Sequence, residues 1–294
     1  MKKIIYIVIT LFSFCSTLSA QQDPNYTFYR YHMNVINPAF AGSSEQSLLS
    51  LGIRSQWANV EGAPESQSAL FSSSVGKNVG LGVSVLNDKT FIEKQTWIGI
   101  DVSYQLKFSE SNTLFLGIKG SGSSYSANTQ GLVTYGIGQD GSLTNFDNRF
   151  TPNVGVGALW KGQKYYLTVS VPKLLTPDRL EQNNGNAYVG VSKRHMYFGG
   201  GYDFDISATT QLSLSSLMRW VEGAPISYEI TSLIGFLDRF QLGVGYRIDE
   251  SASGLFVFKV SNGFDLGYAY ENALHSAVDG LENGTHELFM RLKL

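Results

Sequence analysis

Chemistry at neutral pH leans first on imidazole, and the 294-residue sequence offers four: His32, His195, His275 and His286. No two of them stand at a metal-ligand spacing, and no serine sits in the sharp turn that exposes a nucleophile. His286 beside Glu287 makes an acid–base dyad only on paper, because neighbours on a strand point to opposite faces. Asp140-Gly141 and Asp279-Gly280 are ordinary turn formers, with no phosphate-cradling or calcium-binding loop around them. The sequence therefore predicts no catalytic residue, no metal ligand and no cofactor. What it does carry is charge with a pattern. Asp101, Lys107, Arg247, Asp265, Glu271, Arg291 and Lys293 fall in step with small and polar residues rather than with the apolar ones between them.

The elements that hold such charges are strands. Ile98, Ile100, Val102, Tyr104 and Leu106 alternate with Gly99, Asp101, Ser103, Gln105 and Lys107. Phe240, Leu242, Val244, Tyr246 and Ile248 alternate in the same way with Gln241, Gly243, Gly245, Arg247 and Asp249. Successive strand side chains face opposite ways, so each segment has one greasy and one wet face. Repeated from about residue 48 to the last residue without a helical interlude, this is the signature of an all-β chain folded as a transmembrane antiparallel β-barrel. A large soluble sandwich is the bland alternative; its connections would have no reason to sort by length.

Segments near 48–56, 67–75, 79–87, 96–107, 113–122, 153–161, 164–172, 194–206, 209–220, 226–236, 239–249, 252–260, 263–271 and 285–294 read as strands. That is about 14, an even count like that of bacterial single-chain barrels. Links after even-numbered segments are short: Gly76-Lys77-Asn78, Gly162-Gln163, Ser207-Ala208 and Ser261-Asn262. The long links, around 123–152, 173–193 and 272–284, all follow odd-numbered segments. Short periplasmic turns and long outer loops are the barrel convention. The patterned charges should then face the lumen or the rims, since a mid-membrane Arg or Lys facing lipid costs about 2–4 kcal/mol. Leu288, Met290, Leu292 and Leu294 share one face of the last strand, a common ending for outer-membrane barrels.

The first residues carry a different signal. Lys2 and Lys3, an apolar stretch from Ile4 to Phe14, and Ser16 to Ala20 describe a signal peptide over 1–20, cleaved after Ala20. Phe14 directly before Cys15, without a small-residue box, argues against lipidation. Cys15 is the only cysteine, so the mature chain must be stabilised by sheet closure and not by disulfides. No later segment is apolar for long enough to cross a bilayer as a helix. A formal net charge of −2 gives no reason to expect nucleic acid. Between the signal peptide and a barrel over 48–294 lies a segment, 21–47, carrying Tyr26, Phe28, Tyr29, Tyr31, Met33, Ile36 and Phe40. It is too apolar for an idle tail, and either plugs the lumen or lies against the periplasmic rim.

Several strings have readings of their own. Pro38 pushes Asn37 to extended geometry and Gly42 permits a left-handed turn, giving a rigid bend into the first strand. Gly62-Ala63-Pro64 is a turn signal on the outer rim, and Val-Glu-Gly-Ala-Pro recurs at 221–225, as a favoured turn more readily than as an ancestral repeat. Arg54 and Gln56 share the lumen phase. Arg54 can pair with a carboxylate such as Asp265 or Glu271, or touch a plug or an incoming partner. Trp57 fits the interfacial girdle.

Taken in order, Asp23-Pro24, Asn37-Pro38-Ala39-Phe40-Ala41-Gly42, Arg54-Ser55-Gln56-Trp57 and Glu61-Gly62-Ala63-Pro64 resemble the PorP/SprF family of outer-membrane proteins of the type IX secretion system of Bacteroidetes. The resemblance continues through Val79-Gly80-Leu81-Gly82, Asn87-Asp88, Gly243 to Arg247, Gly267-Tyr268-Ala269-Tyr270 and Thr285-His286-Glu287, covering essentially the whole mature chain. Glu271 stands where the family pattern has aspartate, a conservative change. The resemblance implies a non-enzymatic component of the outer membrane, in contact with its lipid. Its expected partners are a secreted adhesin-like surface protein, which it helps export or anchor, or periplasmic components of the secretion and gliding machinery. Tyr125, Leu132, Tyr135, Phe146, Leu174, Leu175 and Leu180 give the long loops apolar groups that either anchor such a partner or fold over the barrel mouth. An outer-membrane porin or solute transporter is the competing expectation, with the loop 123–152 as a constriction.

Overall fold

Alternating side chains need a partner strand on either side, and the computed structural model, which describes residues 25–128, 146–176, 193–275 and 281–294, supplies one at every position of the ring. The strands are β1 (Leu48–Ser55), β2 (Glu65–Ser74), β3 (Val79–Thr90), β4 (Glu93–Lys107), β5 (Thr113–Ala127), β6 (Phe146–Lys161) and β7 (Tyr165–Val171). They continue as β8 (His195–Ser207), β9 (Thr210–Val221), β10 (Ser227–Phe236), β11 (Phe240–Arg247), β12 (Ser251–Ser261), β13 (Phe264–Ala273) and β14 (Thr285–Lys293). Each pairs antiparallel with its sequence neighbours, and β1 pairs with β14 through eight positions from Leu48–Lys293 to Ser55–His286. A closed ring of 14 strands removes the sheet edges altogether.

Burial decides between a membrane barrel and a soluble sandwich. Ile53, Ile118 and Val244 are 57%, 62% and 65% exposed, while Arg54, Asp101 and Lys119 are at 1%, 0% and 2%. Aliphatic groups outside and charges inside invert a soluble core and match a barrel whose outer face meets lipid. The register sets the inner charges opposite one another: Arg54 faces Glu287, Asp101 faces Lys119, Glu229 faces Arg247 and Asp265 faces Arg291. Among the described residues no helix is long and apolar enough to cross a membrane.

Two differences from the sequence reading have physical causes. β5 runs to Ala127 and β6 starts at Phe146, so this hairpin is longer than its hydrophobic pattern. Gly120 to Ser126 carries no greasy face, yet the ladder from Ser121–Asn153 to Tyr125–Arg149 continues, because backbone pairing outlasts the apolar band. Tyr125 and Phe146 are therefore strand residues and not loop residues. Lys107, expected among the lumen charges, is the exposed last residue of β4 at the inner rim, since phase alone does not reveal depth.

Before β1 the chain makes a 3-10 turn (Tyr29–Tyr31), a short helix α1 (Met33–Ile36) and a second 3-10 turn (Pro38–Phe40). These bury Phe28, Tyr29, Met33, Asn37, Ala39 and Ala41 against inward-facing side chains of the ring.

Candidate functional site

Five side chains near the outer ends of β1, β10, β11, β13 and β14 form a line of alternating charge: Glu229, Arg247, Glu271, Arg54, Glu287. Arg247 Nη2 donates to Glu229 Oε2 at 2.9 Å and its Nη1 lies 3.5 Å from Glu271 Oε1. Arg54 Nη2 donates to Glu271 Oε1 at 3.1 Å, and its Nη1 to Glu287 Oε2 at 3.0 Å. Glu250 Oε2 also lies 3.7 Å from Arg247 Nε, so carboxylates outnumber the two guanidiniums, and the N-terminal segment supplies further donors. The Thr27 and Phe28 N–H groups donate to Glu287 Oε2 and Oε1 at 2.8 and 3.2 Å. The Thr27 hydroxyl donates to Glu271 Oε2 at 2.9 Å while accepting from Arg54 Nη1 at 2.9 Å. Charge-assisted bonds of this kind are the stronger ones. Phe28 then stacks on Phe289 at 5.4 Å, packed with Leu255 and Val257.

Lower in the lumen the segment meets two further pairs. Asp265 accepts from Arg291 at 2.6 Å and from Lys293 at 3.1 Å, and the Arg291 guanidinium lies 4.7 Å over the Tyr31 ring. Lys119, in its pair with Asp101 at 2.8 Å, also donates to the Asn34 carbonyl at 2.8 Å.

Asn37 to Gly42 are held by fit. Asn37 is extended at φ −142°, and its Oδ1 accepts from the Ala39 N–H at 2.8 Å, capping the turn that Pro38 begins. Its Nδ2 donates to Thr168 Oγ1 at 2.6 Å and to the Ala158 carbonyl at 3.0 Å. Gly157 and Gly117 line this seat: a Cβ on Gly157 would overlap the Asn37 amide, and one on Gly117 the Ala39 backbone. Ser103 Oγ donates to the Ala41 carbonyl at 2.6 Å, and Gly42 turns at φ 63° against Gly80 and the Ser73 carbonyl.

The structure thus brings Asn37, Pro38, Ala39, Gly42, Arg54, Asp101, Arg247, Asp265, Glu271, Glu287 and Arg291 to the lumen. Arg54 pairs with Glu271 and not with Asp265, which is taken up by Arg291 and Lys293 nearer the inner rim. Gln56, Trp57, Gly62, Ala63 and Pro64 lie apart, in the connection between β1 and β2 on the outer rim. Trp57 sits in that loop, beyond the end of β1, at φ 47°. His286 points away from the network, its Nδ1 2.8 Å from the Tyr268 hydroxyl. Leu174 is half-buried and Leu175 exposed beyond β7; Leu132, Tyr135 and Leu180 lie outside the described residues. Sequence reasoning missed Lys119 and Glu229, although both sit in the same small-and-polar phase as their partners. It also missed Thr27, whose role no local pattern signals.

The family profile described as "Type IX secretion system membrane protein PorP/SprF" matches residues 18–292. No curated protein matches. Among solved structures, the CymD monoaromatic hydrocarbon channel is similar at TM-score 0.51 and 11% identity, covering 90% of this chain and 92% of its own. Omp33 of Acinetobacter baumannii gives TM-score 0.47 at 9% identity, covering 85% and 98%. The NanC porin gives 0.43 at 10% identity, covering 84% and 100%. At such identities the likeness speaks for the barrel fold alone.

Proposed function

The chain belongs to the PorP/SprF family of type IX secretion system membrane proteins, and from that premise we propose that it is a closed outer-membrane barrel working by protein contact, not by catalysis or permeation. In this reading residues 1–20 are a removed signal peptide, 21–47 a plug, and 48–294 the membrane barrel. The outer connections hold a secreted adhesin-like protein during export or anchoring, with Leu132, Tyr135, Leu174, Leu175 and Leu180 among the contacts. The short inner turns leave a low rim for periplasmic machinery. Loops on a rigid scaffold are where binding residues concentrate.

One observation carries the reading: buried groups of the N-terminal segment are spent on the lumen wall, Thr27 on Glu271 and Glu287 and Asn37 on Thr168. A pore lined by those residues would instead leave them to water. The test pairs two measurements on the tagged protein from native outer membranes. Affinity capture with mass spectrometry is expected to recover a large secreted surface protein or type IX components. In planar bilayers the intact protein is expected to stay closed, and a variant lacking residues 25–46 to conduct. A steadily conducting intact barrel that captures nothing would overturn the proposal in favour of a solute channel.

A further inference from the structure

At the inner mouth the N-terminal segment and the barrel wall leave between them a cavity of about 230 Å³ with a mainly apolar surface. Met33, Phe40 and Ser44 line it from the segment, and Leu159, Lys161 and Tyr166 from β6 and β7. The half-buried rings of Phe40 and Tyr166 meet edge-on across that boundary, 6.0 Å apart. Charge around the cavity is matched unevenly. Arg30 Nη2 lies 2.8 Å from Asp203 Oδ1, and Lys164 Nζ 2.7 Å from Asp205 Oδ2. Lys161 has no such partner among the described residues. Its Nζ donates to the Ser43 carbonyl at 2.8 Å, while Glu45, which acts on it through space, lies beyond ion-pair distance. An exposed ammonium answered only by a neutral oxygen thus stands at the edge of an apolar cavity that faces the periplasm.

Size and charge narrow the occupant. Pockets for whole small molecules run to about 300–1,000 Å³, so this one has room for a single large side chain. Interfaces concentrate their binding energy where one such anchor fills one such pocket. The unmatched ammonium selects for a carboxylate beside that anchor, through a charge-assisted hydrogen bond. We propose that this cavity docks a peptide of the periplasmic machinery, with one large apolar side chain in the cavity and an adjoining carboxylate on Lys161. Half of the site belongs to the N-terminal segment, so the peptide binds only the barrel in which that segment is seated. By linkage, its binding holds the segment in place. The assignment rests on the partner-binding reading above and gives its periplasmic side an address.

The test titrates the whole protein with N-acetyl-phenylalanine, which has a ring and a carboxylate. N-acetyl-phenylalaninamide, without the charge, and acetate, without the ring, are the controls. The acid is expected to bind saturably and about tenfold more tightly than the amide, and acetate not at all. The bound acid should also slow protease cleavage within residues 25–47. Lys161→Gln, a change at an exposed side chain, should lower the acid to the amide's affinity and leave the amide unchanged. Ser44→Trp, which fills the cavity from the segment, should abolish binding of both while the barrel stays heat-modifiable. Equal binding of acid and amide, binding that survives Ser44→Trp, or cleavage that the acid leaves unchanged overturns the pocket. In cells, each variant should cut capture of periplasmic components about tenfold and leave capture of the secreted protein as it was. Undiminished periplasmic capture, or capture of the secreted protein alone by the unaltered barrel, overturns this assignment and leaves the partner reading standing. An unaltered barrel that captures neither overturns both.

Discussion

The N-terminal segment is held at its two ends by different physics. Residues 27–28 are gripped by ionised groups: Glu287, Glu271 and Arg54 meet two N–H groups and one hydroxyl. Residues 37–42 are gripped by shape, seated where Gly117, Gly157 and Gly80 withhold a Cβ from the wall. A charge network is expensive to break by halves, because the partner left behind stays buried and unpaired. A steric seat fails when anything is added to it. The first end therefore depends on what its residues carry, and the second on what its residues lack.

Substitutions at each end sharpen that contrast. Arg54→Ala leaves Glu287 in the lumen without its cation and Glu271 with only the longer contact to Arg247, and should lower stability by about 3–5 kcal/mol in denaturant titrations of the refolded barrel. A loss below about 1 kcal/mol would mean that water already screens the network, and the distinction between the two ends would collapse. Gly117→Val pushes into the Ala39 backbone and should cost about 1–3 kcal/mol. Its signature is faster protease cleavage within 25–47 of a barrel that still resists heat in gels; unchanged cleavage would show that the wall gives way. Asn37→Ala removes the cap, for about 0.5–2 kcal/mol, with a small drop in melting temperature. Lys164→Ala sets the baseline. Its hydrogen bond to Asp205, 2.7 Å away, raises the Lys164 pKa above the ordinary value for lysine, but the pair is exposed at an inner turn. Exposed pairs contribute little, so the melting temperature should not move.

Much of this was legible beforehand, and the gaps have reasons. Ring closure and strand number follow from period-two alternation, which lipid on one side and polar groups on the other enforce along every strand. The upper part of the β5–β6 hairpin was not legible because Gly120 to Ser126, mostly glycine and serine, carries no apolar alternation to read. Phase puts Lys107 in one series with Asp101, Arg247, Asp265, Glu271 and Arg291, yet Lys107 ends at the inner rim while the others lie deeper, since alternation gives the face of a strand and not the depth along it. The pairing of Arg54 with Glu287 needs the register of the first strand against the last, which is long-range information. Thr27 shows the limit: its hydroxyl matters only because the fold carries it to Arg54.

Arg54 and Glu287 are also cross-strand neighbours on the seam where β1 meets β14. β14 is the last strand of the sequence to be synthesised, and Thr27 stands near the opposite end of the chain. One hydrogen-bonded knot therefore joins the beginning, the first strand and the final strand. A chain cut short before residue 287 would lack the seam and the grip on its own leading segment together. A truncated product would thus present at once a loose aromatic tail and an open edge, the latter a ready template for pairing with another chain.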